Sequence, residues 1–282
     1  MKASYAHYTL HFRQPAGTSR GVLTDKETYF LKLEDEDMPG VFGLGECAVF
    51  RGLSADDVPT YEDKLRELCA NISADKETDL HEFPSIRFGL ETAINDFANG
   101  CRRQPFPSDF TEGMSAIPIN GLVWMGTKEE MLRRIDDKIK AGFTTIKLKV
   151  GAIDTESELD LVRHIRKVFP PEALTIRLDA NGGFTPDNAL QKLSDFARYG
   201  IHSIEQPIKQ GQWEAMRRIC SESPIDIALD EELIGIHTPE RMGEMLDAVR
   251  PKYIILKPSL IGGFSGSQDW IMQAARRDIG GW

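Results

Sequence analysis

TTIKLKV, residues 144–150, sets Ile146 and Leu148 in alternation with Lys147 and Lys149. Side chains two apart on a strand share a face, so both ammonium groups point one way and both aliphatic groups the other. Runs of similar size occur at 117–124, 174–179, 201–205, 226–230 and 253–257, with amphipathic segments between them. Short apolar runs alternating with helical segments are the mark of βα units on a parallel sheet. Six consecutive units, with no glycine-rich G-x-G-x-x-G turn after the first, favour a barrel over a doubly wound sheet.

The intervening helices carry start and stop signals. Thr127 with Glu130 forms a capping-box pattern before Met131, Ile135 and Ile139, and Gly142 closes that helix. Thr185-Pro186 and Thr238-Pro239 each place a capping threonine before a proline at the first helical position, and Pro251 stops the second of these helices. Ser267 is expected to cap the last helix. Trp213, Trp270, Met216, Met242 and Met245 fall at helical spacing and are expected to pack against the barrel.

Upstream of about residue 112 the pattern differs. Alternating segments near 5–13 and 28–33 predict paired strands, and 86–99 predicts a helix with Phe88, Ile94 and Phe97 on one face. The turn-rich stretch QPFPSD, 104–109, is the expected linker. The expected organisation is therefore an α/β chain, with an α+β unit over 1–112 and a TIM-like (β/α) barrel over 113–282.

Composition narrows the function classes. With 34 basic and 44 acidic residues the formal charge is −10, which argues against non-specific binding to nucleic acid or an anionic membrane. No apolar stretch approaches the ~18 residues of a membrane span, and the first residues lack a signal peptide's apolar run. Cys47, Cys69, Cys101 and Cys220 are scattered without a C-x-x-C pair, so reduced thiols in a cytoplasmic protein are expected.

The last residues of successive runs form a charged series: Lys147 and Lys149, then Asp179, Glu205, Asp230-Glu231 and Lys257. From Lys149 onward the separations are 30, 26, 25 and 27 residues, each about one βα unit. One acid or lysine at a strand end is ordinarily solvated or ion-paired, but a charge at every consecutive strand end is a pattern. Barrels of this type build their active sites at the C-terminal strand ends. Asp179, Glu205 and Asp230, on neighbouring strands ~4.8 Å apart, would converge on one side of the mouth. Three carboxylates without histidine or cysteine suit a hard cation, Mg²⁺ with Mn²⁺ as a substitute. Lysines on either side of such an ion suit proton abstraction next to a carboxylate, because the cation offsets the second negative charge of an enediolate. Lysine's ordinary pKa of roughly 10.4 is too high for an efficient base at neutral pH, and nearby positive charge lowers it.

The motifs TIKLKVG (145–151), RLDANGG (177–183), IEQP (204–207), ALDE (228–231) and ILKPSLIGG (255–263) resemble, in order and spacing, those of the enolase superfamily and its muconate-lactonizing subgroup. A lysine at the sixth strand end is unlike the mandelate racemase pattern. FGLGEC (42–47) and SIRFGLETAIND (85–96) match the capping domain that such enzymes fold over the barrel mouth. IPINGLVWM (117–125) and TSRGVLTDK (18–26) look most like o-succinylbenzoate synthases of menaquinone biosynthesis. The resemblance implies a small anionic carboxylate substrate and dehydration of 2-succinyl-6-hydroxy-2,4-cyclohexadiene-1-carboxylate. Lys149 would be base and then acid, Lys257 the cation beside the enediolate, and Lys147 a tuning or carboxylate-contacting group. Asn181 and Glu231 stand beside the metal ligands, while Arg20 and Arg51, in candidate capping loops, could meet the succinyl carboxylate.

Two other activities are compatible with these residues. An N-acylamino acid racemase or dipeptide epimerase uses the same pair of lysines for 1,1-proton transfer. A barrel of this family also needs seventh and eighth strands, and the seventh is expected to begin near the final residues 278–282. Six strands alone would leave two unpaired edges, so a truncated, non-catalytic metal- or partner-binding relative is the alternative from another class.

Overall fold

The computed structural model describes residues 1–18 and 21–282. Strands β1 (Lys2–Thr18) and β2 (Gly21–Glu34) run antiparallel, Tyr5 opposite Leu31, and β3 (Phe42–Cys47) pairs antiparallel with β2. Burial alternates along the covered part of the sheet: Leu31 and Leu33 on β2 and Gly43, Gly45 and Cys47 on β3 are buried between half-exposed neighbours, and only Thr28 beside Tyr29 breaks the pattern, both being buried. Helices α1 (Tyr61–Ser73) and α2 (Pro84–Ala98) close this face, and Tyr61, Leu65, Leu68 and Ile86 complete the core.

The predicted helix is present, but it buries a different face. Ile94 is 49% exposed, whereas Ile86, Gly89 and Ala93 are buried. The cause is close backbone approach: a Cβ at Gly45 would stand 1.8 Å from the Gly89 carbonyl oxygen, and one at Gly43 2.1 Å from that of Ala93. Only a face of small residues lets α2 settle this near to β3, so the bulky residues turn sideways or outward.

Residues 99–120 contain no helix or strand. Then β4 (Gly121–Val123), α3 (Lys128–Lys140), β5 (Thr145–Lys149), α4 (Thr155–Arg166), β6 (Thr175–Asp179), α5 (Ala189–Ala197) and β7 (Ile201–Glu205) follow in alternation. The series continues through α6 (Trp213–Glu222), β8 (Asp226–Leu229), a 3-10 turn at Glu231–Leu233, α7 (Pro239–Val249), β9 (Tyr253–Ile254), α8 (Pro258–Ile261), α9 (Gly263–Ala275) and β10 (Gly280–Gly281). Among the described residues the second sheet is parallel and its strands lie in unbroken chain order from β4 to β10. That order is a barrel's, not that of a sheet whose winding reverses. The two-residue β10 pairs with β9 at the place where a seventh strand was expected to begin.

Two of the local capping signals are realised. The Thr127–Glu130 capping box forms, and Thr238 accepts from Arg241 N–H with Pro239 at the first helical position. Two expectations fail. Thr185 and Asn188 instead bond each other's backbone N–H in a turn, which delays α5 until Ala189. Ser267 lies inside α9, its hydroxyl donating to the Gly263 carbonyl, because the helix starts four residues earlier on a left-handed Gly262.

The main core lies between the parallel sheet and its helices. Ile146, Leu148, Ile176, Leu178 and Ile204 meet Ile135, Val162, Phe196, Met216, Met245 and Trp270, all essentially inaccessible. Each such side chain contributes about 1.5–3 kcal/mol on burial. Met242 joins this core and Trp213 packs on its edge, as expected from their spacing. No helix among the described residues is long and apolar enough to cross a membrane.

Candidate active site

Strand register brings the charged ends together. Lys149 lies opposite Asp179 on β6, and Asp179 opposite Glu205 on β7. Asp230 is one residue beyond β8 and Lys257 three beyond β9. The aliphatic alternates point outward into the helices, so their charged neighbours face the barrel interior. Asp179, Glu205 and Asp230 are 1–2% exposed.

Lysines stand between these carboxylates. Lys147 Nζ lies 2.9 Å from Asp179 Oδ2 and 2.5 Å from Glu205 Oε2. Lys149 Nζ donates to Asp179 Oδ2 at 2.7 Å and to Asn181 Oδ1 at 2.5 Å. Lys257 donates to Asp230 Oδ2. Asn181 passes the network on through Nδ2 to Glu231 Oε1 at 3.0 Å. With ammonium groups interposed, no three acidic, histidine or cysteine side chains among the described residues meet at one point.

The charges tune one another. Burial alone would lower the Lys147 pKa, but Asp179 and Glu205 outweigh it and drive the net shift upward. Burial likewise opposes ionisation of Asp179, and the two lysines overcome it to hold that carboxyl below its ordinary range. Glu205 is less compensated: burial, then repulsion from Asp179, pushes it up to about 7. Burial also raises Asp230, against the pull of Lys257.

These residues fit a divalent cation. Glu205 Oε1 is buried without a hydrogen-bond partner, a costly state for a carboxylate oxygen inside a protein. Repulsion among three buried acids is the deficit that a small, doubly charged, oxygen-seeking ion removes.

Buried Gln206 braces the acid-bearing strands. Its Oε1 accepts from Asp230 N and Glu232 N at 3.2 Å each, and its Nε2 donates to Glu232 Oε2 and the Ile208 carbonyl at 3.0 Å each. Its backbone sits at φ +37°, a left-handed conformation unfavourable to a residue with a Cβ and held here by these bonds. The side-chain role of this glutamine was not read from the sequence, although it occupies the centre of IEQP.

A cavity of about 560 Å³ opens over the site, lined by Lys149, Lys257 and Asn181 and, from the N-terminal unit, by Phe12, Val22, Leu23, Phe50, Arg51 and Leu53. Arg51 reaches the cavity wall as expected, but its Nε bonds Glu27 Oε2 at 2.9 Å and its Nη1 bonds Asp57 Oδ1 at 2.7 Å. It is committed to holding the 50–57 loop. Arg20 lies outside the described residues. Trp124, which also lines the cavity with Lys149 Nζ 6.0 Å from its ring centre, was missed. The register Val123↔Leu148 carries Trp124 level with Lys149, so reading the last residue of the first run would have found it.

A family described as Enolase C-terminal domain-like matches residues 130–282. Over its whole length the chain is 42% identical to an o-succinylbenzoate synthase of Desulfotalea psychrophila, covering 85% of that protein. The solved structure of MenC from Desulfotalea psychrophila superposes with a TM-score of 0.86 at 38% identity, over 100% of this chain and 85% of that one. An o-succinylbenzoate synthase of Thermosynechococcus elongatus, solved with Mg in its active site, superposes with a TM-score of 0.75 at 25% identity, over 98% of this chain and 81% of that one. Strand order, charged strand ends and these likenesses agree: the chain belongs to the enolase superfamily, in its Enolase C-terminal domain-like family.

Proposed function

We propose that this protein is a Mg²⁺-dependent dehydratase that converts 2-succinyl-6-hydroxy-2,4-cyclohexadiene-1-carboxylate to o-succinylbenzoate, with residues 1–112 acting as the cap of the site. The observation that carries this reading is the opening of Lys149 and Lys257 into one cavity beside three buried carboxylates. The 42% identity along the whole chain supports the choice of substrate.

Asp179, Glu205 and Asp230 would hold the cation, whose charge allows the substrate carboxylate to carry a second negative charge when bound. In its uncharged form Lys149 Nζ takes the proton from the ring carbon bearing the carboxylate. The electron pair left behind is delocalised into that carboxylate, and Lys257 supplies positive charge from the other side of the cavity. The pair then returns to the ring and breaks the neighbouring C–O bond. Lys149 gives its proton to the departing hydroxide, water leaves, and the ring becomes aromatic. Asn181 Oδ1 aims the Lys149 amine. The apolar side chains of Phe12, Val22, Phe50, Leu53 and Trp124 line the cavity and offer a surface against which the ring can pack.

Turnover of the cyclohexadiene with and without Mg²⁺ tests the reading. Lys149→Ala and Lys257→Ala are each expected to lose at least about a hundredfold in kcat, the scale of acid–base and electrostatic catalysis. Mg²⁺ binding by calorimetry should survive both changes and fail in Asp179→Asn. Wild-type turnover in Lys149→Ala would overturn the assignment. Racemisation of N-succinyl amino acids without dehydration would replace it by the epimerase reading.

A further inference from the structure

We propose that Glu91 is the positioning residue for Lys257, and that Gly263 is a glycine in order to receive its carboxylate. This rests on the reading of Lys257 as catalytic. Glu91 projects from α2 of the N-terminal unit onto the first turn of α9, 173 residues later in the chain. It accepts from Phe264 N at 2.5 Å, Ser265 N at 3.3 Å and the Ser265 hydroxyl. Arg87 Nε, one turn back on α2, holds Glu91 Oε1 at 3.3 Å.

The first N–H groups of a helix have no partner within it, and a nearby side chain ordinarily caps them. Gly262, at the start of α9, has no side chain to do so. The carboxylate from α2 takes that place and matches the positive end of the helix. Room for it depends on glycine. A Cβ on Gly263 would lie 2.3 Å from Glu91 Oε2, and Gly262 and Gly263 sit at φ +101° and +77°.

From this clamp the chain leads stiffly back to Lys257. Gly262 N–H bonds the Pro258 carbonyl, and Leu260 N bonds the Lys257 carbonyl at 2.8 Å. At its other end α2 is tied to the opposite cavity wall, since Ser85 N and Oγ donate to Asp56 Oδ2 at 2.9 and 2.6 Å, next to the loop bearing Phe50 and Leu53. One helix therefore sets the spacing between Lys257 and the wall against which substrate packs. Phe88 on α2, edge-on to Phe264 at 5.2 Å, supports the same contact.

Glu91→Gln leaves one acceptor oxygen and turns an NH₂ group toward N–H and O–H donors. With Mg²⁺ and the cyclohexadiene substrate it should lower kcat about 10- to 100-fold, the cost of a misplacement near 1 Å, while KM stays within about threefold. Hydrogen exchange should speed up in 258–268 and stay unchanged in 145–149 and 175–179. Gly263→Ala should reproduce both effects, the double variant should be no worse than either single one, and Ser265→Ala should show a smaller version. Wild-type kcat with 258–268 fully protected in Glu91→Gln and Ser265→Ala would overturn the proposal, as would a loss of protection spread evenly through the chain. If the wild type fails to dehydrate the substrate, the functional reading falls while exchange in 258–268 still decides the clamp.

Discussion

As a proposed ligand of the cation, Glu205 would couple protonation, metal and stability. Burial and the charge of Asp179 push its carboxyl up to about 7, so near neutral pH it holds a proton that a cation must displace. Mg²⁺ affinity should therefore rise with pH up to about 7 and level off above it, approaching about tenfold per unit on the acid side. Calorimetry at pH 6 and 8 in buffers of different ionisation enthalpy would show proton release at pH 6 only, and Glu205→Gln would abolish it. Without metal the sign is reversed. A carboxyl raised in the folded state adds stability at low pH that is lost as pH rises through its folded pKa, so the metal-free protein should lose stability from the ordinary carboxyl range near pH 4.5 up to about 7 and change little above it. Unchanged affinity from pH 6 to 8 would refute this account of the acid cluster.

At the scale of elements, the β3–α2 contact shows why periodicity found the helix and misplaced its face. A 3.6-residue period locates apolar positions but cannot tell that Gly43, Gly45 and Gly89 draw two backbones together. Gly45→Ala drives a Cβ into the Gly89 carbonyl, which is backbone and cannot swing aside. Urea unfolding should show a loss at or above the upper end of the 1–3 kcal/mol typical of overpacking. A midpoint equal to wild type would overturn this account of the β3–α2 contact. The early start of α9 has the same origin, since there a contact formed in the fold outweighs a local capping signal, whereas the Thr185 turn is a local exchange of bonds with Asn188 three residues on.

The whole molecule holds distinct apolar cores, one on the three-stranded sheet around Tyr29, Leu31 and Leu65 and one beneath the parallel strands around Ile146, Leu148 and Ile176. Leu65→Ala and Leu148→Ala should each cost about 2–5 kcal/mol, the range for emptying a core leucine site. Their patterns of local opening should differ. Hydrogen exchange is expected to speed up first in 28–34 and 42–47 for Leu65→Ala, and first in 145–149 and 175–179 for Leu148→Ala. Identical patterns would show that the cores open as one unit. The active-site cavity lies between them, with the lysines, Trp124 and Leu260 from the barrel side and Phe12, Val22, Phe50 and Leu53 from the N-terminal unit, so its shape depends on how they are held together.

The amino-acid sequence by itself determined the βα alternation, the barrel strand order and the charges at the strand ends. Each follows from a local period: two residues within a strand, 3.6 within a helix and about 27 from one strand end to the next. Only the tertiary structure decided what those charges meet. Lys147 lies between Asp179 and Glu205, 32 and 58 residues away, and Arg51 is engaged by Glu27 and Asp57. Glu91 crosses 173 positions to cap a helix whose start the sequence placed at Ser267. Such pairings depend on distances between separate elements, and no local period encodes those distances. The chemistry of the strand ends was therefore legible in the sequence, while its geometry had to be seen folded.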